Sequence, residues 1–75
     1  MGVQKRTIRE LREALGWSQM KLAVALGVAL GAVQGWENNR NEPRLVQQRR
    51  ILEVFGVTWE EVEWPDREKK LVPAA

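Results

Sequence analysis

The sequence predicts an all-α fold, a compact domain of five short helices. Two observations lead to this fold class. Apolar residues recur at intervals of three and four along most of the chain, which places them on one face of a helix. Glycine follows several of these apolar runs, at the position where helices commonly end. A chain of 75 residues has room for one domain with one modest core.

The first helix is predicted over residues 4–15. Ile8, Leu11 and Leu15 fall on one face of this segment, because they are three and four residues apart. Gly16 follows directly and indicates the end of the helix.

The second and third helices are predicted at residues 19–26 and 29–37. Ser18 can cap the second helix, since its hydroxyl can accept hydrogen bonds from amides in the first turn. Ala23 is small enough to let two helices cross closely, and Gly27 tolerates the positive φ that a tight turn requires. This spacing is typical of a helix-turn-helix pair and predicts binding to duplex DNA.

The fourth helix is predicted to begin at Pro43 and to end at Gly56. Residues 38–42 are polar and rich in asparagine, which indicates a loop. Proline suits the first turn of a helix, where its missing N–H is not needed. The apolar side of this helix comprises Leu45, Ile51, Leu52 and Phe55.

The fifth helix is predicted over residues 59–63. Thr58 and Glu61 form a T-x-x-E capping box, the pattern in which two side chains satisfy the free amides of a helix start. The predicted domain covers residues 1–64, and residues 65–75 are predicted to be a flexible tail because they are mostly charged and end in Pro-Ala-Ala.

The composition argues against an enzyme and against a metal site. The chain has no cysteine and no histidine, so it lacks thiolate and imidazole ligands and most nucleophilic and acid–base groups. We expect no cofactor and, since one small domain leaves no room for a sensing domain, no small-molecule effector. No stretch is long and apolar enough to cross a membrane, and no signal-peptide core is visible, so we expect a cytoplasmic, nucleoid-associated protein.

Charge is unevenly distributed along the chain. Residues 1–50 contain nine Lys and Arg against four Asp and Glu, whereas residues 51–75 contain three against six. A basic first part and an acidic last part suit a protein that faces a polyanion with one side. An accidental asymmetry of a solvated surface is an equally good explanation of charge alone.

An ordered set of residues resembles the XRE-like (lambda-repressor/Cro) helix-turn-helix family over about residues 5–64. That family implies a five-helix domain whose third helix lies in the major groove, usually as a two-fold homodimer acting as a transcriptional regulator, here a predicted repressor. The residues that carry the resemblance are Leu11-Arg12, Gly16-Trp17-Ser18-Gln19, Leu22-Ala23, Leu26-Gly27-Val28, Val33, Trp36-Glu37, Pro43 and Phe55-Gly56-Val57.

The resemblance implies phosphate contacts at the start of the second helix and after the third. Gln19 matches a position where a side-chain amide and backbone amides meet a phosphate. Arg12 and Glu37 match positions that pair with each other in relatives, and an arginine at this place can also touch phosphate. The other implied phosphate contacts are Asn38, Asn39, Arg40 and Arg44.

The implied base-reading surface departs from the family pattern. Relatives usually present several polar groups there, but this chain offers one amide, Gln34, which can pair with adenine through two hydrogen bonds. Two hypotheses follow: the bare helix approaches the groove closely and reads bases, or it docks a protein partner, as in an antitoxin. The matching residues are Ala29, Leu30, Gly31, Gln34 and Gly35.

Four tryptophans are unusual in so short a chain. Trp36 matches a core position of the family. Trp64 flanks the last predicted helix, and we expect it to take part in a homodimer contact with Val62 and Leu71, since large aromatic side chains are favoured in interfaces. The role of Trp59 stays open between packing and the same contact.

Overall fold

The computed structural model describes residues 4–66, and it confirms a mostly helical domain. Within this range there are four α-helices rather than the predicted five, together with two short strands and one 3₁₀ turn. The elements in order are β1 (Arg6–Thr7), α1 (Ile8–Ala14), α2 (Gln19–Leu26), α3 (Leu30–Glu37), α4 (Leu45–Phe55), the 3₁₀ turn (Trp59–Glu61) and β2 (Val62–Glu63).

Helix α1 begins at Ile8, four residues later than predicted. Thr7 caps it: the Thr7 hydroxyl accepts a hydrogen bond from the Glu10 amide at 3.1 Å, and the Glu10 carboxylate accepts one from the Thr7 amide at 2.8 Å. This is the same T-x-x-E pattern that Thr58 and Glu61 form.

The predicted fifth helix is wrong, because the chain makes one 3₁₀ turn there and then becomes extended. Glu61 accepts hydrogen bonds from the Thr58 amide at 2.8 Å and from its hydroxyl at 3.0 Å, so the cap itself forms. Val62 then leaves the turn with φ −104° and ψ 129°. Its side chain is 1% exposed, and burying it in the core favours the extended path over another helical turn.

Strands β1 and β2 pair in parallel and join the two ends of the described chain. Arg6 lies opposite Val62, and Thr7 lies opposite Glu63. The packed chain continues past the predicted boundary at residue 64, since Pro65 is buried and the Asp66 amide donates a hydrogen bond of 3.3 Å to the Asn39 side chain.

Helix α4 begins at Leu45, after Pro43 rather than at it. Arg44 is the N-cap residue, and its amide donates to the Gln47 side chain at 2.7 Å. Pro43 is buried in the preceding loop. Gly56 ends the helix with φ +65°, as the sequence predicts.

The core lies where all the helices meet β2. Leu22, Val33 and Ile51 are fully buried at its centre, one from each of α2, α3 and α4. Ala23 is 1% exposed, which fits its predicted position at the helix crossing. The remaining core residues are Ile8, Leu11, Leu26, Trp36 and Val62. No helix in residues 4–66 is long and apolar enough to span a bilayer.

Candidate nucleic-acid interface

The turn between α2 and α3 is held by backbone and side-chain hydrogen bonds. Ser18 caps α2, accepting from the Lys21 amide at 3.0 Å. Gly27 ends it with φ +70°, and the Val28 amide donates to the Ala23 carbonyl at 3.0 Å. From α4, the Arg50 guanidinium donates to the Leu26 carbonyl at 3.2 Å. Hydrogen bonds within the turn and from α4 therefore fix the direction in which α3 begins.

A buried ion pair fixes the other end of α3 to α1. Arg12 Nε donates to Glu37 Oε2 at 2.7 Å, and its Nη2 donates to Oε1 at 3.1 Å. Nη1 donates to the Trp17 carbonyl at 2.7 Å. The hydrogen bonds to Glu37 raise the pKa of Arg12, against the opposing effect of burial. The pairing that the resemblance implies is thus present.

Arg12 is mainly used inside the protein. The residue is 8% exposed, and one N–H group on each of its three guanidinium nitrogens donates to a protein oxygen. These contacts position α1 against α3, and the phosphate contact of Arg12 stays a prediction.

Gln19 is tied into the same network at the first residue of α2. Its amide nitrogen donates to Glu37 Oε1 at 3.0 Å, and the residue is half-buried. One of the two amide hydrogens is therefore used inside the protein. The other hydrogen and the free amides of the first helical turn are the groups that could meet a phosphate.

The asparagines after α3 shape the loop. Asn38 donates from its side chain to the Gln34 carbonyl at 2.9 Å. Asn39 adopts φ +57° and accepts from the Asp66 amide. Asparagine tolerates this left-handed conformation better than most residues. Both side chains therefore make hydrogen bonds within the protein. Arg40, the cation of this loop, is exposed.

The outward face of α3 is as bare as the sequence predicts, with one correction. Ala29, Gly31 and Gln34 are exposed, and Leu30 is half-buried. Gly35 is buried, so it offers no surface for a base. Ala29 precedes the helix as its N-cap residue, without a side-chain hydrogen bond.

Asn41, which the sequence predicts to be a loop residue, covers Gly35. A methyl group at Gly35 would lie 3.2 Å from Cγ and 3.5 Å from Cβ of Asn41. Asn41 is exposed and lines an open cleft between α3 and the start of α4, together with Ala32 and Arg44. No spacing rule predicts this fold-back, and the only signal for it in the sequence is the missing side chain at residue 35.

Of the predicted dimer residues, the structure describes Val62 and Trp64. Val62 is a core residue with 1% of its surface exposed, so it cannot contribute to an interface between copies. Trp64 packs against Trp59 with ring centroids 4.6 Å apart, and its Nε1 donates to the Trp59 carbonyl at 3.3 Å. Leu71 lies outside the described residues.

The surface built from α2, α3 and the following loop contains cations and amides. Among residues 4–66 no group of three or more carboxylates, histidines or cysteines is placed to hold a metal ion. The arrangement can bind an anionic, hydrogen-bonding partner.

Comparison with known proteins identifies relatives of this arrangement. The family model described as "Helix-turn-helix" matches residues 8–62. The "Uncharacterized HTH-type transcriptional regulator YgzD" of Bacillus subtilis (strain 168) is 33% identical over 64 residues, which covers 85% of this chain and 97% of that protein. No solved structure matches the chain.

Proposed function

Since this chain belongs to the XRE-type helix-turn-helix family, we propose that it is a sequence-specific repressor that places α3 in the major groove of duplex DNA as a homodimer. Family membership makes it a DNA-binding transcriptional regulator rather than an enzyme. Binding to chromosomal DNA would keep it with the nucleoid in the cytoplasm.

Phosphate binding is assigned to the exposed cations at the end of α3 and the start of α4. Arg40 and Arg44 are both exposed. Arg40 lies within the loop that the Asn38 and Asn39 side chains hold in place, and Arg44 lies at its end, directly before α4. Gln19 and the first-turn amides of α2 supply a second contact. Asn38 and Asn39, the other predicted phosphate contacts, support this clamp by shaping the loop.

Base reading is assigned to Gln34, the exposed amide of α3. A carboxamide can donate to N7 of adenine and accept from its N6 amino group, so Gln34 favours adenine at one position. Ala29, Leu30 and Gly31 can contact thymine methyl groups or let the helix approach closely. The observation that carries the proposal is that Gln34 is exposed on α3. Arg50 holds the end of α2 before the turn into this helix, and the Arg12–Glu37 pair anchors the end of α3.

The test is a binding selection on random duplexes at two salt concentrations, followed by titration of the selected site. The proposal expects a selected site with two-fold symmetry and half-sites one helical turn apart. The logarithm of the affinity should fall with the logarithm of salt by about 0.9 for each phosphate contacted. Gln34→Ala should remove the preference at one base position in each half-site, at a cost of about 1–3 kcal/mol.

The competing proposal is a protein-docking role for the bare face of α3, as in an antitoxin. It is supported by the small number of polar side chains on that face. It predicts that no duplex is selected and that a flat salt response accompanies any weak binding. An asymmetric selected site bound by a monomer would instead reject only the homodimer.

A further inference from the structure

The exposed face of α3 has a second carboxamide beside it, which the loop after the helix contributes. Asn41 lies over Gly35, the residue next to Gln34, and fills the space that a side chain at position 35 would need. A Cβ at Gly35 would come closest to the Asn41 Nδ2 atom, which would have to move. Glycine at this position therefore makes room for the Asn41 amide against the helix.

The backbone holds Asn41 in this place while its side chain stays free to bind. The Gly35 carbonyl accepts from the Arg40 amide at 2.9 Å and from the Asn41 amide at 3.4 Å, so the loop folds back onto α3. Within residues 4–66 the Asn41 carboxamide has no hydrogen-bond partner, whereas the side chains of Asn38 and Asn39 are both engaged. Asn41 is exposed, so its side chain is accessible to a binding partner.

We propose that Asn41 is a second specificity-determining residue, whose carboxamide reads a base edge next to the one read by Gln34. The inference rests on the proposed function, since it requires α3 to face the major groove. An asparagine amide carries the same donor and acceptor as glutamine, and adenine is the base that matches both. Gly35 acts through Asn41 as a positioning residue.

The experiment compares base preferences of the full chain and four variants in the same random-duplex selection, with each protein checked for folding by circular dichroism. The variants are Asn41→Ala, Gly35→Ala, the double variant, and Arg40→Ala as the control for a phosphate contact. Asn41→Ala should reduce discrimination at one base position by about 5- to 150-fold and leave the Gln34-dependent position unchanged.

Gly35→Ala should reduce discrimination at the same position, because it displaces the Asn41 side chain. The double variant should lose no more than either single variant, since both act on one contact. Arg40→Ala should instead weaken all sequences about equally and lower the salt slope by about one.

Each other outcome overturns the inference. If Asn41→Ala weakens all sequences equally with a reduced salt slope, Asn41 binds phosphate and does not read bases. If Asn41→Ala changes nothing while Gln34→Ala relaxes its own position, this inference fails and the proposed function stands. If the unmodified protein selects no duplex, the proposed function fails and this inference with it.

Discussion

At the scale of single residues, Glu37 connects three helices. Its carboxylate accepts from Arg12 in α1 and from Gln19 at the start of α2, and its side chain is 3% exposed. The Glu37 carboxylate therefore links α1, α2 and α3. Removing that charge would leave the buried Arg12 guanidinium without its partner, which costs more than the pair itself contributes.

We predict that Glu37→Ala lowers the free energy of unfolding by about 3–5 kcal/mol, because it leaves a buried arginine without its ion-pair partner. Urea unfolding followed by far-ultraviolet circular dichroism measures this. Glu13→Ala is the matched control: it breaks the exposed Arg9–Glu13 pair on the same helix as Arg12 and should cost no more than about 0.5 kcal/mol. Similar small losses in both variants would show that the Arg12–Glu37 contact does not anchor α3.

The sequence predicts the exposure of some residues of the candidate site but not of others. Gln34, Arg40 and Arg44 are exposed where the family resemblance places them. Gly35 is buried, because the Asn41 side chain lies against it. Matching residues to a family by position follows the spacing along a helix. It does not predict that a side chain from a loop packs back against that helix.

At the scale of elements, turn and capping chemistry predicted the α2–turn–α3 unit almost completely. Ser18 and Gly27 set its limits as expected, because a hydroxyl cap and a left-handed glycine have strong local preferences. The ends of the chain were less predictable. Two-residue strands have too little sequence to show a period, and the pairing of β1 with β2 is a long-range contact.

The 3₁₀ turn contributes a pH-dependent element. Hydrogen bonds from the Thr58 amide and then its hydroxyl lower the pKa of Glu61. A carboxylate whose pKa is lowered by folding stabilises the native state above its unfolded value of 4.5, and that contribution is lost as the pH falls through the lower folded value.

We therefore predict that Glu61→Gln makes the melting temperature less sensitive to acid below pH 4.5 than it is in the unmodified protein. Thermal unfolding between pH 7 and pH 3 measures the effect. Glu60→Gln, at the exposed neighbour that does not cap the turn, should leave the acid profile nearly unchanged. A profile that shifts equally in both variants would mean that net charge, and not the cap, sets the acid response.

At the scale of the whole molecule, β2 completes the core. Val62 belongs to the same buried cluster as Ile8 and Trp36, so the last strand of the described chain packs beside the first helix. The all-α class was predictable from apolar periodicity. The packing of β2 into the core was not, because the sequence pattern around Val62 fits a helix end equally well.

We predict that Val62→Ala lowers the free energy of unfolding by about 2 kcal/mol through lost burial and a small cavity. Val46→Ala, at a side chain 71% exposed on α4, should change it by no more than about 0.5 kcal/mol. Chemical unfolding at two protein concentrations measures both. A loss for Val62→Ala that grows on dilution would point to an interface between copies and against a core position.

The pairing of β1 with β2 also has a consequence for biosynthesis. A nascent chain leaves the ribosome from its N-terminal end, so Arg6 and Thr7 emerge long before Val62 and Glu63, which complete their ladder. Until Val62 has emerged, the apolar cluster lacks one of its members. Pairing β1 with β2 then requires closing a loop almost as long as the domain. The domain is therefore expected to reach its native state only after nearly all of it has been translated.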